Sequence, residues 1–159
     1  MQKCTKMQEV IEALAVKHGL DLSRNEAHIK LLNGPYMPLV IEKIGPQLVS
    51  VTHYFYQNGD ACADPDMVFY TGDGGWMPVE ITQTLGYRRA LTFNDAGQPA
   101  GIDARAYAEM LLFAEFWAVN IQQQGWLDHG HPPTSDPPPS PCPAPLLPTA
   151  PPRSGAVPV

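Results

Sequence analysis

From Asn33 to Gly75 the chain is cut by turn signals about every 12 residues: Asn33-Gly34-Pro35, Gly45-Pro46, Asn58-Gly59-Asp60 and Gly72-Asp73-Gly74-Gly75. Apolar runs this short suit strands rather than helices, and connections this tight join antiparallel neighbours, so the spacing predicts an antiparallel meander. Strands are expected over 28–32, 37–44, 47–57, 66–71 and 76–84. The third is the most informative. Side chains alternate along a strand, which places Val49, Val51, His53 and Phe55 on one face and Ser50, Thr52, Tyr54 and Tyr56 on the other. Such a sheet has one apolar face that needs a cover.

Two helical patterns supply it. Thr5 is predicted to cap a helix whose Met7, Val10, Ile11 and Leu14 recur at helical spacing, with Gly19 as its stop. After a linker over 20–26 and the strands, Asp103 is predicted to cap a long helix ending near Gly125, in which Tyr107, Met110, Leu111, Ala114, Trp117 and Ile121 recur at three- and four-residue steps. Phe113 and Phe116 widen that stripe, placing the helix either deep in the core or against a partner subunit. The expected fold is α+β: an antiparallel meander of about five strands flanked by an N-terminal helix and a long C-terminal helix.

Composition divides the chain. Residues 1–129 read as a single domain, whereas residues 130–159 hold 12 of the 18 prolines and, as their only charges, Asp136 and Arg153. That segment is expected to be a disordered or extended proline-rich tail. Its Pro148-Thr149-Ala150-Pro151-Pro152-Arg153 run fits a proline-rich ligand pattern, with a passive extension the favoured reading. Residues 1–129 carry 15 acidic and 9 basic residues, a net −6 that disfavours general nucleic-acid binding. No Lys or Arg occurs from Ile44 to Tyr87, while Asp60, Asp64, Asp66, Asp73 and Glu80 all do, so part of the surface is expected to be locally negative.

Cys4, Cys62 and Cys142 are odd in number and far apart, which indicates neither a disulfide framework nor a structural zinc site. The N-terminal apolar residues are interrupted by Glu9, Glu12 and Lys17, unlike a signal peptide, and no apolar run approaches the ~18 residues of a membrane span. A cytoplasmic protein with no membrane association is expected. No resident cofactor is expected, a divalent cation being the one candidate.

Several constellations have two readings. Asp60, Asp64 and Asp66, with Glu42 as a further ligand, form a candidate hard-cation site of oxygen donors, though not at calcium-loop spacing. Against that, Asn58-Gly59-Asp60 is an ordinary hairpin turn and Asp64-Pro65 an ordinary turn start. His53 is a candidate general acid or base. A register that places it near Phe69 or Tyr70 leaves no carboxylate opposite, which favours a hydrogen-bonded core histidine. Tyr36, Tyr54, Tyr56 and Trp76 would make an aromatic platform on the polar face, or simply pack across strands. Arg88-Arg89 reads as a solvated face, Pro35 and Pro38 as guards of an edge strand, and His129 with His131 as an adventitious metal pair. Cys62 has no candidate base within two residues.

In order along the chain stand Gly34-Pro-Tyr-Met-Pro-Leu-Val-Ile-Glu42, Val49-Ser-Val-Thr-His-Tyr54, Gln57-Asn-Gly-Asp60, Asp64-Pro-Asp-Met-Val-Phe69, Trp76-Met-Pro78 and Glu115-Phe-Trp-Ala-Val-Asn120. On these motifs, which cover about residues 30–125, the chain resembles a bacterial family of unknown function found in plasmids, phages and integrative elements. The resemblance implies a mobile-element setting and transfers no activity. Ala61-Cys62-Ala63 departs from it, standing where related chains tend to carry bulkier or charged residues. The preferred reading is a non-enzymatic accessory protein that binds another protein through an acidic and aromatic surface around the 53–69 hairpin. That surface takes in Glu42, His53, Tyr54, Tyr56, Asn58, Asp60, Asp64, Asp66 and Trp76. The competing readings are a metal-assisted or acid/base enzyme using Asp60, Asp64 and Asp66 with His53, and an acidic inhibitor of a host defence system. A protein partner is expected, a homodimer is an option, and nucleic acid is disfavoured.

Overall fold

Six strands pair in chain order into one antiparallel sheet: β1 (His28–Leu31), β2 (Leu39–Gly45), β3 (Leu48–Gln57), β4 (Asp60–Tyr70), β5 (Met77–Gln83) and β6 (Gly86–Arg89). This computed structural model describes residues 1–134. The expected tail from 135 onward, with Cys142 and the Pro148–Arg153 run, lies outside the described residues. The meander is as predicted, with one more strand.

The β3–β4 hairpin turns on Asn58 and Gly59, at φ 53° and 85°, with Gln57 paired to Asp60. Positive φ at both central residues gives the two-residue turn whose twist matches the flanking strands, which is why Asn-Gly stands here. β4 therefore begins at Asp60 rather than at 66, and the acid-rich stretch expected as a loop is strand throughout. It pairs Tyr56 with Ala61, Phe55 with Cys62 and Tyr54 with Ala63 before the register shifts. At that bulge Asp64 and Pro65, joined by a cis peptide bond, stand together across from His53. Phe69 and Tyr70, expected near His53, instead pair with Val49 and Leu48.

β6 is fully exposed along its length and has no apolar alternation to reveal it. It leads into a small ribbon of β7 (Leu91–Phe93) and β8 (Pro99–Ile102) that the sequence reading also lacked. The edge-guard reading of Pro35 and Pro38 fails because β2 lies between β1 and β3. The carbonyl of Pro38 instead accepts the Tyr54 N–H at 3.1 Å.

Three helices cover one face: α1 (Thr5–Lys17), α2 (Ala104–Gln123) and the single turn α3 (Trp126–His129). Asp103 caps α2 as predicted, accepting from the Ala106 N–H at 3.0 Å, and Gly19, at φ 67°, follows the end of α1. Thr5, however, is the first residue of α1 and not its cap. The capping position is Cys4, whose side chain makes no capping bond. The acceptor comes from α2: the Glu115 carboxylate takes the Lys6 N–H at 3.0 Å and the Met7 N–H at 3.3 Å. A carboxylate there satisfies helix-end donors and meets the positive end of the helix dipole. Cys4 N–H, in turn, donates to the Trp76 carbonyl at 2.8 Å, tying the start of α1 to the start of β5.

The core between helices and sheet is continuous. Met7, Ile11 and Leu14 of α1 and Met110, Ala114 and Ile121 of α2 bury with Leu31, Leu39, Ile41, Val51, Met67 and Phe69 of the sheet. Gly125, at φ 74°, lets the chain turn into α3 and bury Trp126 completely. The described chain stays bonded to the sheet beyond residue 129. Leu32 and His131 exchange N–H···O bonds of 2.8 and 3.0 Å.

Two stability outcomes follow from these contacts. Glu115→Ala is expected to destabilise the protein by about 1–2 kcal/mol, the size of a lost helix cap, measured by urea unfolding, while Glu9→Ala on the exposed side of α1 should be near neutral. A chain ending at His129 should lose about 1–3 kcal/mol through the two missing bonds to Leu32. A chain ending at Thr134 retains them.

Candidate functional site

β3 fixes which residues share a surface. His53 lies on the helix side, 6 % exposed, with its ring centroid 5.5 Å from that of Trp117 and 5.6 Å from that of Trp126. Its Nδ1 faces the carbonyls of Met37 and Pro38 at 3.1 and 3.3 Å. Both neighbours are acceptors, so Nδ1 carries the proton. Burial holds the imidazole below its ordinary value of 6.5, against the opposing pull of the two carbonyls. This is the hydrogen-bonded core histidine, and it faces away from the acids of the open sheet face.

That opposite face has no helix over it among the described residues, since all three helices lie on the His53 side. The register lays its residues out in two rows across six strands: His28, Glu42, Ser50, Val68, Glu80 and Arg89, and beside them Lys30, Val40, Thr52, Asp66, Thr82 and Tyr87. Asp66 Oδ1 accepts from Ser50 Oγ at 2.7 Å and Thr52 Oγ1 at 2.9 Å. Both hydroxyl residues are buried, so the carboxylate satisfies donors that water cannot reach. Tyr54 stands next along β3. Its phenol is pushed up by burial first, and then by the charges of Asp66 and Glu42.

Among the described residues neither Glu42 nor Asp66 has a Lys, Arg or His within ion-pair distance, whereas Glu80 is paired with Arg89 at 2.7 Å. Glu80 also accepts from the Tyr87 hydroxyl at 2.7 Å. The face thus has a negative centre, where two unpaired carboxylates act on the Tyr54 phenol, and a neutralised rim.

The other candidates disperse. Asp60 closes the hairpin beside Asn58, with exposed Tyr56 at the same tip. Asp64 Oδ2 accepts from the Thr84 N–H at 3.2 Å and from the Thr84 hydroxyl, facing the β5–β6 turn. Asp60, Asp64 and Asp66 therefore stand on one strand with separate partners, and no group of three His, Cys, Asp or Glu side chains in metal-binding arrangement occurs among the described residues.

The aromatic platform is divided too. Trp76 is in the core against Phe69, with centroids 5.4 Å apart, and Tyr36 leans towards Trp126 from the β1–β2 loop. Only Tyr54 and Tyr56 remain on the open side. The Cys4 thiol is pushed up to about 12 by burial and by Glu115, the state of an unreactive core group.

Residues absent from the expected site are Ser50, Thr52, Glu80, Tyr87 and Arg89. Ser50 and Thr52 were readable from the alternation of β3. Arg88 and Arg89, expected as a solvated face, are exposed, and they bond Glu109 and Glu80 on opposite sides of β6.

The chain belongs to the family described as a domain of unknown function (DUF6908), which it matches over residues 8–127. No curated protein and no solved structure matches it. Among the described residues no helix is long and apolar enough to cross a membrane.

Asp66→Ala is expected to cost about 1–3 kcal/mol, because two buried hydroxyls lose their acceptor. Combining it with Ser50→Ala and Thr52→Val should recover much of that loss in chemical denaturation. For His53 the lowered folded-state value means that the unfolded chain takes up the proton first. Stability is then full above the unfolded value and falls as pH drops below about 6.5, through the lowered folded value. His53→Gln should flatten that fall without abolishing it, since burial lowers His18 as well.

Proposed function

We propose that the protein is a protein-binding accessory factor of bacterial mobile elements, acting in the cytoplasm, whose open sheet face receives a positively charged segment of its partner. The observation that carries this reading is the pair of carboxylates, Glu42 and Asp66, left without a cation among the described residues and both acting on the Tyr54 phenol. Unpaired acids beside a half-buried phenol offer charge complementarity to lysine or arginine and an aromatic wall for their stems. The mobile-element setting rests on the motif resemblance from Gly34 to Asn120. The same acids would repel the phosphates of nucleic acid.

A catalytic reading through Asp60, Asp64 and Asp66 would require their convergence on one ion, and each now has its own neighbours. Titration with Mg²⁺, Mn²⁺ and Ca²⁺ against the Asp64→Asn variant addresses it, and tight binding lost in the variant would favour that chemistry. An acidic inhibitor of a host defence would use the same open face, and its partner would be the protein that the face captures.

The direct test is fluorescence-anisotropy titration with a labelled Lys/Arg-rich peptide at low and high salt. Saturable binding is expected, weakened at least tenfold, or by about 1.4 kcal/mol, when Glu42→Gln and Asp66→Asn are combined, and weakened by salt. Affinity unchanged by the double substitution would overturn the assignment.

A further inference from the structure

One rim of the sheet is bare. β6 pairs with β5 through Ile81↔Arg88 and Thr82↔Tyr87, and no strand lies on its other side among the described residues. The Ala90 N–H points inward, donating to the Val79 carbonyl at 2.7 Å. Alternation along an antiparallel strand therefore turns the amides of Tyr87 and Arg89 outward. The opposite rim differs, because beyond β1 Leu32 is bridged to His131.

An apolar surface runs alongside this bare edge. Arg88 bonds Glu109 and so ties β6 to α2. Between them lies a groove of about 370 Å³ with Ile81, Met110 and Phe113 among its lining. Three- and four-residue steps along α2 carry the same stripe from Glu109 to Leu112 and Phe116, which are 72 % and 69 % exposed, and Leu85 at the hairpin tip is fully exposed. Main-chain donors and apolar side chains thus face solvent together.

We propose that this rim joins a second copy of the chain: β6 pairs antiparallel with its counterpart about a twofold axis, and the Leu112–Phe116 stripes of the two α2 helices meet beneath a sheet continuous through both copies. The twofold pairing has a register free of like-charge contact. Residues directly opposite in an antiparallel pair lie on the same face, so two registers centred on β6 are open to a twofold pair. Centring on Arg88 sets two guanidinium groups against each other. Centring on Tyr87 sets Arg88 against Gly86 and Arg89 against Leu85 of the second copy, with Tyr87 meeting its own counterpart. In that register the like charges are apart, and each arginine keeps its own carboxylate, Glu109 or Glu80. Tyr87, whose amide points outward, becomes the hydrogen-bonded central pair.

The test is mass by light scattering and sedimentation on the full chain over a dilution series. A species of twice the 17.4 kDa chain mass is expected, dissociating to monomer in Phe116→Glu with an unchanged circular dichroism spectrum. Hydrogen-bonded antiparallel partners lie about 5.5 Å apart at Cα, within disulfide range. Tyr87→Cys should therefore cross-link into a covalent dimer on oxidation, and Arg88→Cys should not. A wild-type chain that stays monomeric throughout would overturn the proposal. So would a dimer indifferent to Phe116→Glu, or equal cross-linking at 87 and 88.

Discussion

The register of β3 against its two neighbours is the constraint on which everything else depends. Ten residues long and central in the sheet, β3 sends Val49, Val51 and His53 to the helices and Ser50, Thr52 and Tyr54 to the other side. A slip of one residue would exchange those sets, burying hydroxyls against Trp117 and Trp126 and exposing valines. The hydrogen bonds from Ser50 and Thr52 to Asp66 lock the polar side, and the two tryptophans around His53 lock the apolar side. The bulge at Asp64–Pro65 lets β4 continue past His53 while Asp66 stays in line with Thr52.

From that one-sidedness follows the division of labour between faces. The helices need only one surface of the sheet, and they are joined to each other by a polar contact as well as by packing. Glu115 places its carboxylate on the first turn of α1, where Cys4 has no oxygen to offer. That bond ties α1 to α2, and among the described residues the second sheet surface carries no helix. Charges that would destabilise a core are tolerated there, because Glu42 and Asp66 remain partly hydrated while the hydroxyls beneath are satisfied. The same topology leaves β6 as a rim with outward amides, so the face and the edge left uncovered among the described residues both stem from a meander that ends in a short exposed hairpin.

Much of this was legible in the sequence because the signals were local. The Asn58-Gly59 turn, the alternation of β3, the Asp103 cap and the apolar steps of α2 each lie within a few residues of the structure they specify. What escaped was non-local or masked by composition. The cap of α1 comes from Glu115, more than a hundred positions away, so Thr5 looked like the cap. Asp60 to Asp66 resembled a loop because acids are poor strand formers, yet β3 supplies partners along it and β5 joins from Asp66 onward. β6 to β8 are short and lack a buried periodicity, and Trp126 enters the core only because Gly125 turns the chain. The candidate surface suffered the same fate: Glu42, Tyr54 and Asp66 were identified as residues, but their separation from His53 and Trp76 depended on the face each occupies.

The most direct measurement is an amide chemical-shift map by NMR during titration with a Lys/Arg-rich peptide. Shifts are expected at Glu42, Ser50, Thr52, Tyr54 and Asp66, with Ile11, Leu14 and Ala114 in the helix layer unmoved. Shifts concentrated in α1 and α2, with the open sheet face silent, would contradict the assignment of function to that face.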